Sequence, residues 1–451
     1  MLNRPRGSRP AIASIISLLL IFGAGCGDVA EGDAARNSND VAVAQAPIGN
    51  AYPSPHNLEL SKRQYTWTIK KQSDGWYVPR YSWIIDQPLW MVEKANAIYG
   101  ALPADATLTE TPDGKTKVVY PRMTNAYIDR VVDTTVATWA SVVNIQFRKV
   151  TGTADITFSF TDNNASAPSA YPEAEGWCDR KTDSAGKITG ADVVINLKAR
   201  KPATDEGYEP FWKAGDYVSL FWHGAYENQL LRAELHEFGH FLGLAHAFYD
   251  TANYGRDSDG NTRTCGGTSC PYPPSNDDLS IMDYNLGGKP VLLSTYDINI
   301  VQAKYGRPTY SPMIELSVPS MNEHFYTSSW SEANHVLHSG YASGVRFTNL
   351  TGALYYQQQS NTTPLHRFFE PAANGHTYIL GGSTSRPDSI YEGVVGYSAN
   401  SSATNLSQLG AYHLPSSADE LFFTVNNVPA GYVDTGRRYG YVFPMKNIGR
   451  Y

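Results

Sequence analysis

The sequence predicts an α+β domain followed by an all-β domain of three repeats. Three observations carry that expectation. Strand-like alternation and long helical registers follow one another between about residues 115 and 306. One of those helices, around residues 231–244, carries histidines at fixed spacing beside an apolar stripe. Beyond residue 313 an aromatic phrase recurs three times, headed by Pro319, Pro371 and Pro415. A chain of 451 residues is long enough for two or three domains. Its net charge of −7, with no basic stripe or tail, argues against nucleic acid as a partner.

Residues 1–26 read as a targeting segment. Arg4, Arg6 and Arg9 precede an apolar run from Ala11 to Phe22, too short for a permanent span and of signal-peptide size. The run ends Gly23-Ala24-Gly25-Cys26. Small residues before a cysteine resemble the bacterial lipoprotein cleavage box, with Cys26 taking the lipid; Gly23 stands where that family prefers leucine. A cell-envelope lipoprotein is expected, with ordinary secretion to the extracellular space as the alternative. Either route takes the protein out of the cytoplasm, and a lipid anchor is the only membrane link expected. Residues 27–58 are rich in Ala, Asn, Asp, Gly and Pro without a period, and read as a flexible tether or a short propeptide.

The catalytic candidate region is placed at 59–308. Trp67, Trp76, Trp83 and Trp90 lie among alternating apolar residues, so short strands of an N-terminal extension are expected there. Val118-Val119-Tyr120 suggests a strand. Tyr127, Val131, Val132, Val136, Trp139 and Val142 then step at helical intervals. Asn144–Phe147 and Ala154–Phe160 alternate as strands do, and Ala191–Asn196 has the apolar run of an interior strand.

The next element is Glu234-Leu235-His236-Glu237-Phe238-Gly239-His240-Phe241-Leu242-Gly243-Leu244-Ala245-His246. His236 and His240 are four apart, so a helix presents both imidazoles from one face. Glu237 stands beside the first, where a carboxylate reaches a metal-bound water. Gly243 permits a positive φ, and the turn it allows brings His246 round as a third ligand. Three nitrogens plus one open position is the ligand set of a catalytic zinc site, whereas structural zinc takes four protein ligands and many cysteines. The competing reading is a buried amphipathic helix that carries histidines by chance. Three histidines, a glutamate and a glycine in one register do not fit it.

This motif resembles the long zinc-binding signature of the metzincin metalloproteases. The resemblance implies a twisted mixed sheet with long helices, a zinc helix and a methionine-bearing turn under the metal. Ser280-Ile281-Met282-Asp283-Tyr284 matches that turn, with Met282 as the apolar floor. Tyr284 matches the place where astacins and serralysins carry a tyrosine near the metal. The resemblance gives it two roles, resting-state ligand or hydrogen-bond donor to the oxyanion. Strand, long helix, strands and zinc helix follow the metzincin order. Leu293–Gly306 resembles the helix that closes the catalytic domain in matrixins and serralysins, with Ser294 or Thr295 as cap and Ile298, Val301 and Tyr305 as apolar face. No subfamily is chosen: Ala247 stands where astacins have Glu, serralysins Pro and matrixins Ser. Pro308 follows as a break, so a chain ending near Arg307 is expected to fold alone.

Cys265 and Cys270 are close enough in sequence to form a disulfide across a glycine-bearing loop, which export permits. Cys178 is left over, either as a buried free thiol or as partner to one of the other two. Asp257–Asn261 looks superficially like a calcium loop, but its glycine falls two positions early, so Ca2+ is unsupported and a plain turn is expected.

Residues 313–451 repeat. Glu323-His324-Phe325-Tyr326-Thr327 returns as Gly375-His376-Thr377-Tyr378-Ile379 and, more weakly, as Glu420-Leu421-Phe422-Phe423-Thr424. The heading prolines lie 52 and 44 residues apart. Repeats of this size with short strands suggest a trefoil-like or small-blade β structure. The wording resembles a β-repeat appended to bacterial secreted hydrolases. Exposed tyrosines there can stack on sugar rings, which suggests a glycan or cell-surface ligand; packing in a core is the plainer role for any one of them.

The sequence therefore predicts an exported zinc-dependent endopeptidase acting on proteins or peptides. His236, His240 and His246 are the expected ligands, and Glu237 is the expected base. A rival is a surface lipoprotein that adheres to glycan or protein through its repeats while the metal site is vestigial; retention of Glu237 speaks against it. A zinc hydrolase acting on non-peptide bonds is weakened by the Met282 turn.

Overall fold

The computed structural model describes residues 56–444, apart from 81, 100–105, 120–121, 162–175, 198–228, 258–260, 266, 270–278, 284–291, 339–343, 383–386, 414, 416–419 and 429. The signal segment with Cys26 and nearly all of the expected tether lie outside the described residues. Among the described residues no helix is long and apolar enough to cross a membrane.

A five-stranded mixed sheet organises the first half. Its strands are β1 (Gln64–Ile69), β5 (Gln146–Lys149), β6 (Ile156–Thr161), β7 (Gly176–Thr182) and β8 (Ile188–Asn196), in the order β5-β1-β6-β8-β7. All pairings are parallel except β7 with β8, which makes β7 an antiparallel edge. Small strands β2 (Ser82–Ile85), β3 (Thr107–Glu110) and β4 (Thr116–Val119) form a separate sheet, with helix α1 (Leu89–Tyr99) between β2 and β3. The N-terminal extension is thus more than packing, because β1 is an interior strand of the main sheet. The alternation of β1 places Tyr65, Trp67 and Ile69 inside, where Trp67 meets Phe158 edge-on at 5.8 Å and Tyr65 meets Phe241 at 5.2 Å.

Helix α2 (Asn125–Ala140) follows the predicted register. Thr124 caps it by accepting from the Tyr127 amide, and Ile128, Val131, Val132, Thr135, Val136 and Trp139 line its buried face. Helix α3 (Gln229–Phe241) packs against α2, where the Trp139 indole donates to the Leu235 carbonyl at 3.0 Å. Phe238 stacks on Phe158 of β6 at 5.8 Å and meets Phe147 of β5 edge-on at 5.4 Å. The helix is therefore fixed on two sides by apolar contacts, which leaves one face for chemistry.

A two-stranded ribbon, β9 (Thr264–Cys265) and β10 (Thr268–Ser269), comes next. Helix α4 (Thr295–Tyr305) follows, and a capping box between Ser294 and Asp297 starts it. Its buried face is Tyr296, Asp297, Ile300, Val301, Lys304 and Tyr305; Ile298 is only half-buried, so the expected face is rotated. The rotation follows from polar side chains, Asp297 and Lys304, that turn inward to bind backbone.

The second half contains three units of three strands: β11 (Tyr310–Val318), β12 (Glu323–Thr327) and β13 (Arg346–Tyr355); β14 (Thr362–Glu370), β15 (Gly375–Leu380) and β16 (Ile390–Ala399); β17 (Ser407–His413), β18 (Glu420–Thr424) and β19 (Val433–Val442). In each unit the first strand pairs antiparallel with the other two. The third strands meet one another at Tyr355↔Tyr397, Ala399↔Tyr441 and Ala353↔Phe443, so the units close in a ring. Tyr326, Tyr378 and Phe422 meet at the centre with ring centroids 4.8–5.6 Å apart. They are spaced 52 and 44 residues apart, as the heading prolines are. The third copy thus contributes Phe422, one position before the Phe423 that the aligned wording suggests. Each phenol also binds a neighbouring unit: the Tyr326 hydroxyl accepts from the Phe422 amide and the Tyr378 hydroxyl from the Tyr326 amide.

The two halves share a core. One apolar cluster runs from Leu292, Leu293 and Val301 to Leu316, Phe325, Trp330, Ala333, Val336 and Phe443. Helix α5 (Trp330–His338), inserted in the first unit, carries fully buried Asn334, which accepts from the Leu292 amide and donates to the Leu293 carbonyl. All described residues lie in one compact unit. The shared cluster speaks against the expectation that a chain ending near Arg307 folds alone. The tether also ends earlier than residue 58, since His56 is fully buried.

Candidate metal centre

The face of α3 left free by its aromatic contacts presents His236 and His240. At its end the Gly243 amide bonds the His240 carbonyl and the Leu244 amide bonds the Gly239 carbonyl, with Gly243 at φ 83°. The chain reverses and brings His246 back. One nitrogen from each of His236, His240 and His246 lies within 4.8 Å of the others. The Nδ1 of His236 is 2.8 Å from the Ile281 carbonyl, and that of His240 is 2.8 Å from the Leu244 carbonyl. A carbonyl accepts only, so each Nδ1 carries the hydrogen and each Nε2 keeps its lone pair. Burial pushes all three imidazoles below their ordinary range, His240 to about 4 and His246 to about 3. Neutral nitrogens at this separation, two of them in tautomers fixed by backbone carbonyls, fit a tetrahedral N-ligated cation.

Met282 is fully buried, as the expected apolar floor requires. A Cβ on Gly239 would stand 2.5 Å from the Met282 sulfur and 3.2 Å from Trp139. Glycine at 239 is therefore what lets the helix settle onto that turn between its two histidines. The turn in turn holds the ligands: the Ile281 carbonyl orients His236, and the Met282 carbonyl accepts from the Ala247 amide. Asp297 fixes the turn itself, accepting from the Ser280 hydroxyl, the Ile281 amide and the Ser294 amide; burial raises its pKa to about 6 despite those donors. Tyr284, next in the phrase, lies outside the described residues.

Glu237 is 7 % exposed and faces edge strand β7. A Cβ on Gly176 would lie 2.9 Å from the Glu237 Cγ and 3.1 Å from its Oε1, so glycine there makes room for the carboxylate. Cys178, two residues along β7, is a free thiol, and burial and then the charge of Glu237 raise its pKa. Glu234 is fully buried without a hydrogen-bond partner for either oxygen, and burial, then the charge of Glu237, raises its pKa well above the ordinary carboxylate range. Cys265 sits in β9, but its pairing with Cys270 falls outside the described residues. At the suspected calcium loop, the Asn261 amide donates to Asp257 Oδ1 at 2.8 Å and the Asp257 amide to the Asn261 carbonyl, the pattern of a turn.

Several residues around the site have no signal of their own in the sequence. Gly176, Gly239, Asp297 and Lys304 act through contacts with segments distant in the chain. Only the Ser294–Asp297 spacing hints at a role, as a helix cap.

Comparison with known proteins finds two family matches. Residues 115–253 match the matrixin family, which is zinc-dependent. Residues 295–389 match a domain of unknown function, DUF5648. That match begins at Thr295, in the helix that supports the methionine turn. No curated protein matches the chain. The match over residues 115–253 thus supports a metzincin-like catalytic domain of metallopeptidase type, with a DUF5648 region following it.

Proposed function

We propose that the chain is an exported zinc endopeptidase in which Glu237 activates the attacking water. The observation that carries this reading is the convergence of three neutral imidazole nitrogens within 4.8 Å beside a buried glutamate. His236, His240 and His246 would hold the metal. Bound zinc would supply Lewis acidity and bring the pKa of a coordinated water from about 15.7 to roughly 7. Glu237 accepts the proton of the attacking water and passes it to the leaving amine. Gly176 on β7 leaves room for that carboxylate, since a Cβ there would crowd its Cγ and Oε1. The Tyr284 hydroxyl donates to the developing oxyanion or ligates in the resting enzyme.

In this reading residues 59–308 form the peptidase and 313–451 a trefoil-like module that binds a glycan or cell-surface ligand. Residues 1–26 direct export, Cys26 carries the lipid, and 27–55 tether the enzyme to the envelope. The test is zinc content together with digestion of a denatured protein. One zinc per chain with chelator-sensitive cleavage supports the peptidase. Zinc without cleavage favours the adhesin with a vestigial site, and cleavage of esters alone favours a non-peptide hydrolase. Tyr284→Phe is expected to lower kcat about 10- to 100-fold with KM nearly unchanged, since the hydrogen bond forms mainly in the transition state. A kcat within twofold of wild type overturns the role given to Tyr284.

A further inference from the structure

The segment just before β1 is threaded under the loop that carries the third histidine. Lys304 is buried and donates to the carbonyls of Leu58 and Gly243, tying that segment and the end of α3 to α4. Tyr305 adds a second tie, donating to the Leu242 carbonyl while accepting from the Leu60 amide. The fit leaves no room: a Cβ on Gly243 would collide with the Leu58 carbonyl. At the head of this strap stands His56, fully buried and 189 residues from the loop it touches.

The hydrogen bonds of His56 form a directed chain. The Ala245 amide donates to its Nδ1 at 2.9 Å. Its Nε2 therefore carries the hydrogen and donates to the Tyr296 hydroxyl at 2.9 Å. That hydroxyl donates in turn to Asp250 Oδ2 at 2.7 Å. Asp250 follows the short turn that begins just after His246, and Ala245 immediately precedes it. The imidazole thus holds the backbone before His246 directly, at the Ala245 amide, and the Asp250 side chain after it through Tyr296. Ala245 and Ala247 themselves offer no polar side chain; Asn253 adds a bond to the Asp250 carboxylate, and the Met282 carbonyl holds the Ala247 amide.

We propose that His56 is a positioning residue for the metal centre, fixing the 245–250 backbone so that His246 meets the cation with His236 and His240. The proposal rests on the reading that these three histidines bind zinc. It means that the metal site depends on a residue well upstream of the matrixin match, which begins at 115. Neighbours that orient ligands in this way commonly alter metal affinity 10- to 100-fold when removed.

The test uses the full chain, with zinc affinity measured by chelator competition and ligand geometry by the visible spectrum of the cobalt-substituted protein. His56→Ala is expected to weaken zinc binding about 10- to 100-fold and to broaden the cobalt bands. His56→Asn, whose side-chain oxygen can reach the Ala245 amide, is expected to recover most of that loss. Tyr296→Phe keeps the ring and removes the hydroxyl, and is expected to shift affinity in the same direction by less. Ile69→Ala, a core truncation in β1, serves as control and is expected to lower Tm without moving zinc affinity. Zinc affinity within twofold of wild type in folded His56→Ala overturns the proposal, as does failure of His56→Asn to improve on it. Should His56→Ala not fold, unshifted affinity in Tyr296→Phe overturns it equally. A wild-type chain that binds no zinc overturns the peptidase reading instead.

Discussion

The two halves of the molecule both bury histidines beside carboxyl groups, and they balance them in opposite ways. In the α+β half, His236, His240 and His246 face one another, and burial keeps them neutral. In the repeat half, His376 lies between Glu323, at 2.6 Å from Nδ1, and Glu392, at 3.2 Å from Nε2. Burial alone would depress its pKa, but these two acceptors outweigh that and raise it to about 9. Arg367 extends the cluster with bonds to Glu392 at 2.7 Å and Glu332 at 2.6 Å. The difference separates a site from a scaffold. Lone pairs that converge without an internal positive charge invite a cation from outside. A histidinium and a guanidinium that already have their carboxylates do not.

The largest expected effect tests whether the halves are separable at all. A chain ended after Arg307 should be insoluble or lack fixed near-UV circular dichroism, because Leu292 and Leu293 lose the cover of Trp330, Ala333 and Val336. A soluble, monomeric and zinc-binding product would restore the independent domain. Next comes Glu237→Gln, which should lower kcat/KM about 10²- to 10⁴-fold while zinc content and Tm stay near wild type. Arg367→Met should do the reverse, lowering stability and leaving kcat/KM unchanged. Its cost should be on the order of 2 kcal/mol, below the 3–5 kcal/mol of a fully buried pair, because Glu332 and Glu392 are partly exposed. Urea unfolding beside peptide hydrolysis measures both, and a large activity loss would join the cluster to catalysis.

Asn334→Ala strands the Leu292 amide and Leu293 carbonyl, and should cost about 1–3 kcal/mol. An unchanged urea midpoint would mean that the halves are held by apolar contact alone. The smallest effect is the pH dependence of the repeat half. The folded pKa of His376 lies above the ordinary 6.5, so the folded state binds more protons between 6.5 and about 9. Its contribution is full below pH 6.5 and lost as pH rises through 9. The stability difference between wild type and His376→Gln should therefore shrink across that window, by on the order of 1–2 kcal/mol. A difference that stays flat would show a histidine that is neutral throughout.

Sequence by itself determined whatever depends on neighbours along the chain. Helical spacing put His236 and His240 on one face, Gly243 permitted a positive φ, and Ser294 or Thr295 stood ready to cap α4, because these follow from dihedral limits and i, i+4 geometry. The three repeats were legible for a similar reason, since each unit carries its own phrase, but the aligned wording pointed to Phe423 where the structure places Phe422 at the centre. Tertiary structure alone decided the rest. Strand β7 is too polar to read as a strand, and it becomes one by pairing at a sheet edge. Gly176 and Gly239 matter for side chains that arrive from other elements. His56 looked like part of a tether, since nothing within its own segment gives an imidazole a partner. Its role exists only after the chain closes 189 residues of loop to reach Ala245, and which distant segments meet is set by the summed packing of the core rather than by any local preference.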